Sequence, residues 1–77
     1  MNYSTKMFYL AATMMSLGAT HESTNRSDPA HLVFHFSSEK LDFPQIEKDF
    51  TNGSLMVNAS RFSESIRNLK SIIHSCD

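Results

Sequence analysis

Seventy-seven residues with seven Lys+Arg against eight Asp+Glu, a formal net charge of −1, leave room for a single domain. They argue against a protein that grips nucleic acid through an overall basic excess, though not against a local patch. Cys76 is the only cysteine, which excludes an intrachain disulfide framework and fits a reducing compartment. A chain this short buries a modest core, so self-association is the expected supplement.

The first element is read in FYLAATMMSLGAT. Thr5 to Leu17 is rich in Ala, Leu and Met, with Ser4 or Thr5 available as a cap and Gly18 placed to end the helix in a left-handed conformation. Its roughly thirteen residues rise about 20 Å, too little for a bilayer core of about 30 Å, so no membrane span is expected. A signal peptide is the rival reading, with a lysine before the apolar run and Ala19 at a cleavage-like position. Leu17 stands where that site wants a small residue, and Tyr9, Thr13 and Ser16 interrupt the run. The Asn-x-Ser triplets at Asn2, Asn25, Asn52 and Asn58 are what a serine-rich chain yields by chance. A core helix over residues 5–17 is the expectation.

His31 to Phe36 alternates, with Leu32, Phe34 and Phe36 on one face and His31, Val33 and His35 on the other, the period of a half-buried strand. Ser27-Asp28-Pro29 is turn chemistry, which makes Thr20 to Arg26 the antiparallel partner in a hairpin over 20–36. That partner is weakly apolar and reads as a sheet edge or flap. A short helix follows over 43–51, with Asp42 or Phe43 near the N-cap, Pro44 in the first turn, Ile46 and Phe50 on one face, and Asn52-Gly53 as the stop. The last helix, 59–75, starts from Asn58 as cap, with Val57 positioned to pack on Phe62. Its apolar stripe runs Ala59, Phe62, Ile66, Leu69, Ile73 and Cys76, widened by Ile72. The order α-β-β-α-α predicts an α+β mini-domain, helices over one face of a hairpin.

The hairpin would set His21 across from His35, with His31 on the same face. These three, with Glu22 or His74 as a distant fourth, are weak zinc candidates; cross-strand histidines on a wet face are the simpler reading, and no metal or other cofactor is expected. No G-x-S-x-G turn, positioned acid or phosphate-binding glycine loop is present, so an enzyme is not expected. The carboxylates Glu39, Asp42, Glu47 and Asp49 read as a solvated face around the short helix. Arg61, Arg67 and Lys70 make the best basic strip for nucleic acid, with Arg26 as a candidate fourth member and Glu64 as an interruption. Met7, Tyr9, Met14 and Met15 give the first helix more apolar surface than one hairpin can cover, which points to a homodimer or a protein partner.

Tyr9–Ala12 leading to Gly18, the Phe34–Phe36 strand, Asn52-Gly53, and Val57-Asn58 opening the last helix together resemble a family of small proteins from phages, prophages and gut Firmicutes. That family is known as a domain of unknown function. Ala59 stands where its members usually carry proline. The resemblance covers most of the chain and implies an accessory protein of a mobile element, with no activity or site residues attached. The leading expectation is a non-enzymatic protein of the host cytoplasm that binds a bacterial host protein, as an anti-CRISPR-like inhibitor of a defence nuclease would. A nucleic-acid-binding regulator and a structural dimerisation module are the alternatives.

Overall fold

The computed structural model describes residues 1–74. Its centre is a strand whose apolar residues alternate: in β3 (Val33–Ser37), Phe34 and Phe36 are buried while Val33, His35 and Ser37 are half-exposed. A strand with one greasy and one wet face covers a core on one side only. It is flanked on both sides, by β1 (Asn2–Thr5) and β2 (Thr20–Asn25), both antiparallel to it, in the order β1-β3-β2. Because β1 and β2 run parallel with β3 between them, the intervening helix α1 (Phe8–Ser16) makes a split β-α-β crossover. Helices α2 (Phe43–Thr51) and α3 (Ala59–His74) complete the order β-α-β-β-α-α.

The α+β expectation holds, with a strand more than anticipated. Asn2 to Thr5 was expected only to lead into a helix starting at Thr5. It is instead extended, because Tyr3 and Thr5 alternate inward: Tyr3 pairs with Phe36 and Thr5 with Phe34. The Met1 amine donates to the Ser38 carbonyl at 3.0 Å. The helix therefore begins three residues later, from Met7, which offers no side-chain cap; the Thr5 hydroxyl accepts from the Met7 amide at 3.1 Å instead.

The core joins Leu10, Ala11, Ala12 and Met14 of α1 to Phe34 and Phe36 of β3, with Phe43, Leu69 and Ala19 completing it. Ala11 and Ala12 are fully buried, and such small side chains let α1 lie close against its neighbours. The two glycines end the first two helices. At Gly18 (φ 106°) the Ala19 amide donates to Met14 and the Gly18 amide to Met15, and at Gly53 (φ 79°) the Ser54 and Gly53 amides reach Asp49 and Phe50 in the same way. These are paired Schellman closures. An added Cβ would meet nothing within 4 Å at either site, so glycine is required there by backbone conformation alone.

The later elements follow their sequence signals. The Asp42 carboxylate accepts from the Gln45 amide at 3.2 Å to cap α2, and the Asn58 side chain accepts from the Arg61 amide at 3.0 Å to cap α3. Within the hairpin loop, Asp28 accepts from the Ala30 amide with its side chain and from the His31 amide with its carbonyl. In α3, Leu69 is fully buried, with Phe62, Ile66, Ile72 and Ile73 packed around the core, while Ala59 is exposed. Ser75 and Cys76, expected in this helix and its stripe, lie outside the described residues.

Arg26, just past the end of β2, ties the sheet to α3. Its guanidinium donates to the carbonyls of Ile72 and Ile73, the latter at 3.2 Å. A cation at this end also meets the negative pole of the helix dipole. Arg26→Ala should lower unfolding stability by about 1–2 kcal/mol, read as a lower urea midpoint at unchanged slope. Arg26→Lys should recover only part of that, since an ammonium lacks the planar fork that spans two carbonyls.

Candidate functional site

The two faces of the sheet differ in chemistry. Across the inner face run the rows Tyr3–Phe36–His21 and Thr5–Phe34–Thr24; across the outer face run Ser4–His35–Ser23 and Asn2–Ser37–Thr20. The outer rows are hydroxyls, amides and one imidazole, and they line a bowl of about 480 Å³ formed by Asn2, Ser4, Glu22, His35 and Ser37 among others. Ser4 Oγ and His35 Nδ1 share a hydrogen bond at 2.6 Å. The nearby Glu22 carboxylate accepts from the Ser37 hydroxyl at 2.5 Å. That bond gives the acid to Ser37, where a serine–histidine–acid relay would need it on the second ring nitrogen.

The three histidines weighed as zinc ligands do not converge. Glu22 is an extra residue between the pairs His21↔Phe36 and Ser23↔His35, a bulge that carries His21 to the inner face. There its ring meets Phe36 edge-on at 5.7 Å, and its Nε2 lies 2.8 Å from the Thr24 hydroxyl. His35 stays on the outer face. His31 lies before the strand, with its Nδ1 3.0 Å from Asp28 Oδ2. His74 is in the last turn of α3. Among the described residues no three His, Cys, Asp or Glu side chains are grouped to hold a metal.

Of the carboxylates around α2, Glu39, Asp42 and Glu47 are exposed and Asp49 half-exposed, as a solvated face implies, and three of the four also accept hydrogen bonds. Besides Asp42 at the cap, Glu47 accepts from the Tyr3 hydroxyl at 2.5 Å and Asp49 from the Gln45 amide group at 2.9 Å. Tyr3 also stacks on Phe43, ring centres 5.1 Å apart. Burial, with the bond to Glu47 adding to it, raises the Tyr3 phenol above its ordinary value, so the hydroxyl stays a donor at neutral pH. The cations are different. Arg61, Arg67 and Lys70 are all exposed on α3, and His31–Asp28 is the one ion pair among the described residues.

The proposed apolar surface of α1 divides. Met7 and Tyr9 are 54% and 60% exposed, and Phe8 packs edge-on against the Tyr9 ring at 5.4 Å. Met14 is fully buried and belongs to the core, and Met15 packs half-buried against it. Met14 is thus withdrawn from any partner surface, because α1 turns Leu10 to Met14 into the core and leaves only Met7 and Tyr9 at its start largely exposed. Sequence reasoning missed Met56, 87% exposed, and its neighbour Val57 as a surface. The signal was the run Leu55-Met56-Val57, apolar residues between a helix-ending glycine and a helix-capping asparagine.

An α+β domain with a split β-α-β unit, one covered sheet face and one bare one is the class defined by this geometry. The chain belongs to the family described as Domain of unknown function (DUF5659), whose family model matches residues 1–75. No curated protein and no solved structure matches it. No helix among the described residues is long and apolar enough to cross a membrane.

His21 gives this region a pH dependence. Burial lowers its pKa below the ordinary 6.5; the Ser23 backbone and the Glu22 carboxylate pull it back only in part, and His35 adds to the lowering. A base whose folded pKa is depressed binds fewer protons folded than unfolded, so its contribution to stability is complete above the unfolded value and is lost as pH falls through the window below it. Urea midpoints measured from pH 7.5 to 5 should decline below about 6.5, and His21→Gln should flatten that decline.

Proposed function

We propose that this chain is a small non-enzymatic accessory protein of a phage or other mobile element, acting in the host cytoplasm by binding a bacterial host protein. The observation that carries the reading is the exposure of Met7 and Tyr9 at the start of α1. Met7, the N-cap, and Tyr9, in the first turn, stand more than half exposed beside Leu10, Ala11 and Ala12, which are locked in the core. An aromatic and a methionine on a rigid support are suited to anchoring a protein interface. The mobile-element context comes from the phage-like motifs described above, and a host defence nuclease is the class of target that context favours. Tagged protein should capture a host protein from bacterial lysate, and Tyr9→Ala with Met7→Asp should cut that capture about tenfold or more. Unchanged capture by the double variant would remove this surface from the reading.

A nucleic-acid-binding regulator is the second reading, favoured by the exposure of Arg61, Arg67 and Lys70 without an ion-pair partner among the described residues. Glu64 between them weakens it. If it holds, DNA or RNA should be retained at moderate salt, and Arg67→Ala with Lys70→Ala should weaken binding uniformly and reduce the salt slope by about 2. Retention unaffected by the double variant would count against this strip.

A further inference from the structure

We infer that α2 opens from the rest of the fold as a strap, together with the connections on either side of it. The strap spans residues 39–57, and the hydrogen bond from Tyr3 to Glu47 is its latch. Its two ends are fixed. The Ser38 amide donates to the Met1 carbonyl at 3.0 Å, and Asn58 caps α3. Between those ends the hydrogen bonds are local. The Lys40 and Leu41 amides reach Ser38 Oγ, Asp42 caps its own helix, and the Ser54 and Leu55 amides donate to the Asp49 carbonyl. Among the described residues, the bond from the Tyr3 hydroxyl to Glu47 is the one that joins the strap to another element.

The apolar seam is equally thin. Of the nine buried hydrophobic residues, Phe43 alone belongs to the strap, and the other eight lie in α1, β3, α3 and at Ala19. Ile46 and Phe50 are only half-buried. At the Phe43 end the seam is closed by the Tyr3 ring, stacked at 5.1 Å. At the other end it is unfilled. A recess of about 250 Å³ is lined there by Phe50, Leu55 and Val57 on the strap side and by Thr13 and Phe62 on the body side. Side chains that border such a gap forfeit the attraction that filled packing would supply.

Opening therefore gives up one fully buried ring and one hydrogen bond across the seam, and it returns conformational freedom to the whole stretch. Once undocked, the nine residues of α2 are too few to stay helical in water, so the strap melts as it leaves. The body keeps eight of the nine core residues and the Arg26 tie to α3. A segment with few buried contacts and exposed backbone bonds is the one that opens below the global transition. The open form bares the Tyr3 ring and releases Phe43.

Native-state amide exchange of the full chain in low urea tests the inference. The Ile46, Asn52 and Leu55 amides should share one opening equilibrium. It should be about a hundredfold or more favourable than that of the α1 and β3 amides, with a smaller urea dependence. Two variants separate strap opening from global unfolding. Arg26→Ala removes a tie that the open form retains, so it should speed exchange in α1 and β3 about tenfold and leave the strap amides unchanged. Tyr3→Phe removes a bond already broken in both open and unfolded forms, so both sets should speed up by one factor, about fivefold. Equal protection in strap and body, or strap amides that speed up with Arg26→Ala, would mean that α2 leaves only on global unfolding and would overturn the inference. Strap amides that exchange one by one without urea dependence, or that ignore Tyr3→Phe, would overturn the unit and the latch respectively. Capture of a host protein through Met7 and Tyr9 is read independently, since neither residue lies in the strap.

Discussion

Everything in this fold depends on one strand having two different faces. Phe34 and Phe36 point to the helices, and each is paired on both sides, Phe36 between Tyr3 and His21 and Phe34 between Thr5 and Thr24. Each such strand pair contributes little alone, but the rows hold Phe34 and Phe36 side by side in the core that α1 covers. Leu10, Ala11, Ala12 and Met14 occupy that core with Leu69 of α3 and Phe43 of α2. Removing either phenylalanine would leave the helices without a common surface, since a buried aromatic truncated to alanine costs about 3–5 kcal/mol, a large part of the whole stability of so small a domain.

How much of this was legible depended on the distance over which each signal acts. Asn58, Asp42, Gly18 and Gly53 were readable because a cap or a left-handed stop concerns only the next few residues. The Phe34–Phe36 alternation was readable for the same reason. β1 was not: four residues, Asn2 to Thr5, carry only Tyr3 and Thr5 as inward signals, and their strand character comes from β3, some thirty positions away. The bulge at Glu22 was equally hidden. Pairing His21 with His35 followed from a hairpin turning at Asp28; the observed register sets Ser23 opposite His35 instead, and one extra residue moves His21 to the opposite face. The Ser4–His35 bond could not be foreseen without β1, and the zinc alternative depended on a hairpin register that places His21 opposite His35, where Ser23 stands.

The polar groups sort themselves in a way that net charge conceals. Glu22, Asp28, Asp42, Glu47 and Asp49 all accept hydrogen bonds within the fold. Among the described lysines and arginines, Arg26 has a comparable internal role, at the end of α3. Seven cations against eight acids look balanced, and at a distance the fields do nearly cancel. At contact range they differ, because a bonded carboxylate is held in one orientation by its partner in the fold, whereas the exposed cations of α3 remain free to turn toward a ligand.

The apolar groups show a parallel division. α1 looked uniformly greasy in sequence, yet its surplus is confined to Met7 and Tyr9, because Met14 faces Phe34, Phe36 and Leu69 within one core cluster. The second surplus, at Met56, is carried by a connection that could have been polar. The Schellman closure at Gly53 and the cap at Asn58 fix the path of that connection without any help from the Met56 side chain. The fold therefore does not require methionine at position 56. Its presence there is costless to the monomer's architecture and unfavourable only in exposing apolar surface to water, a cost that disappears when the surface is covered.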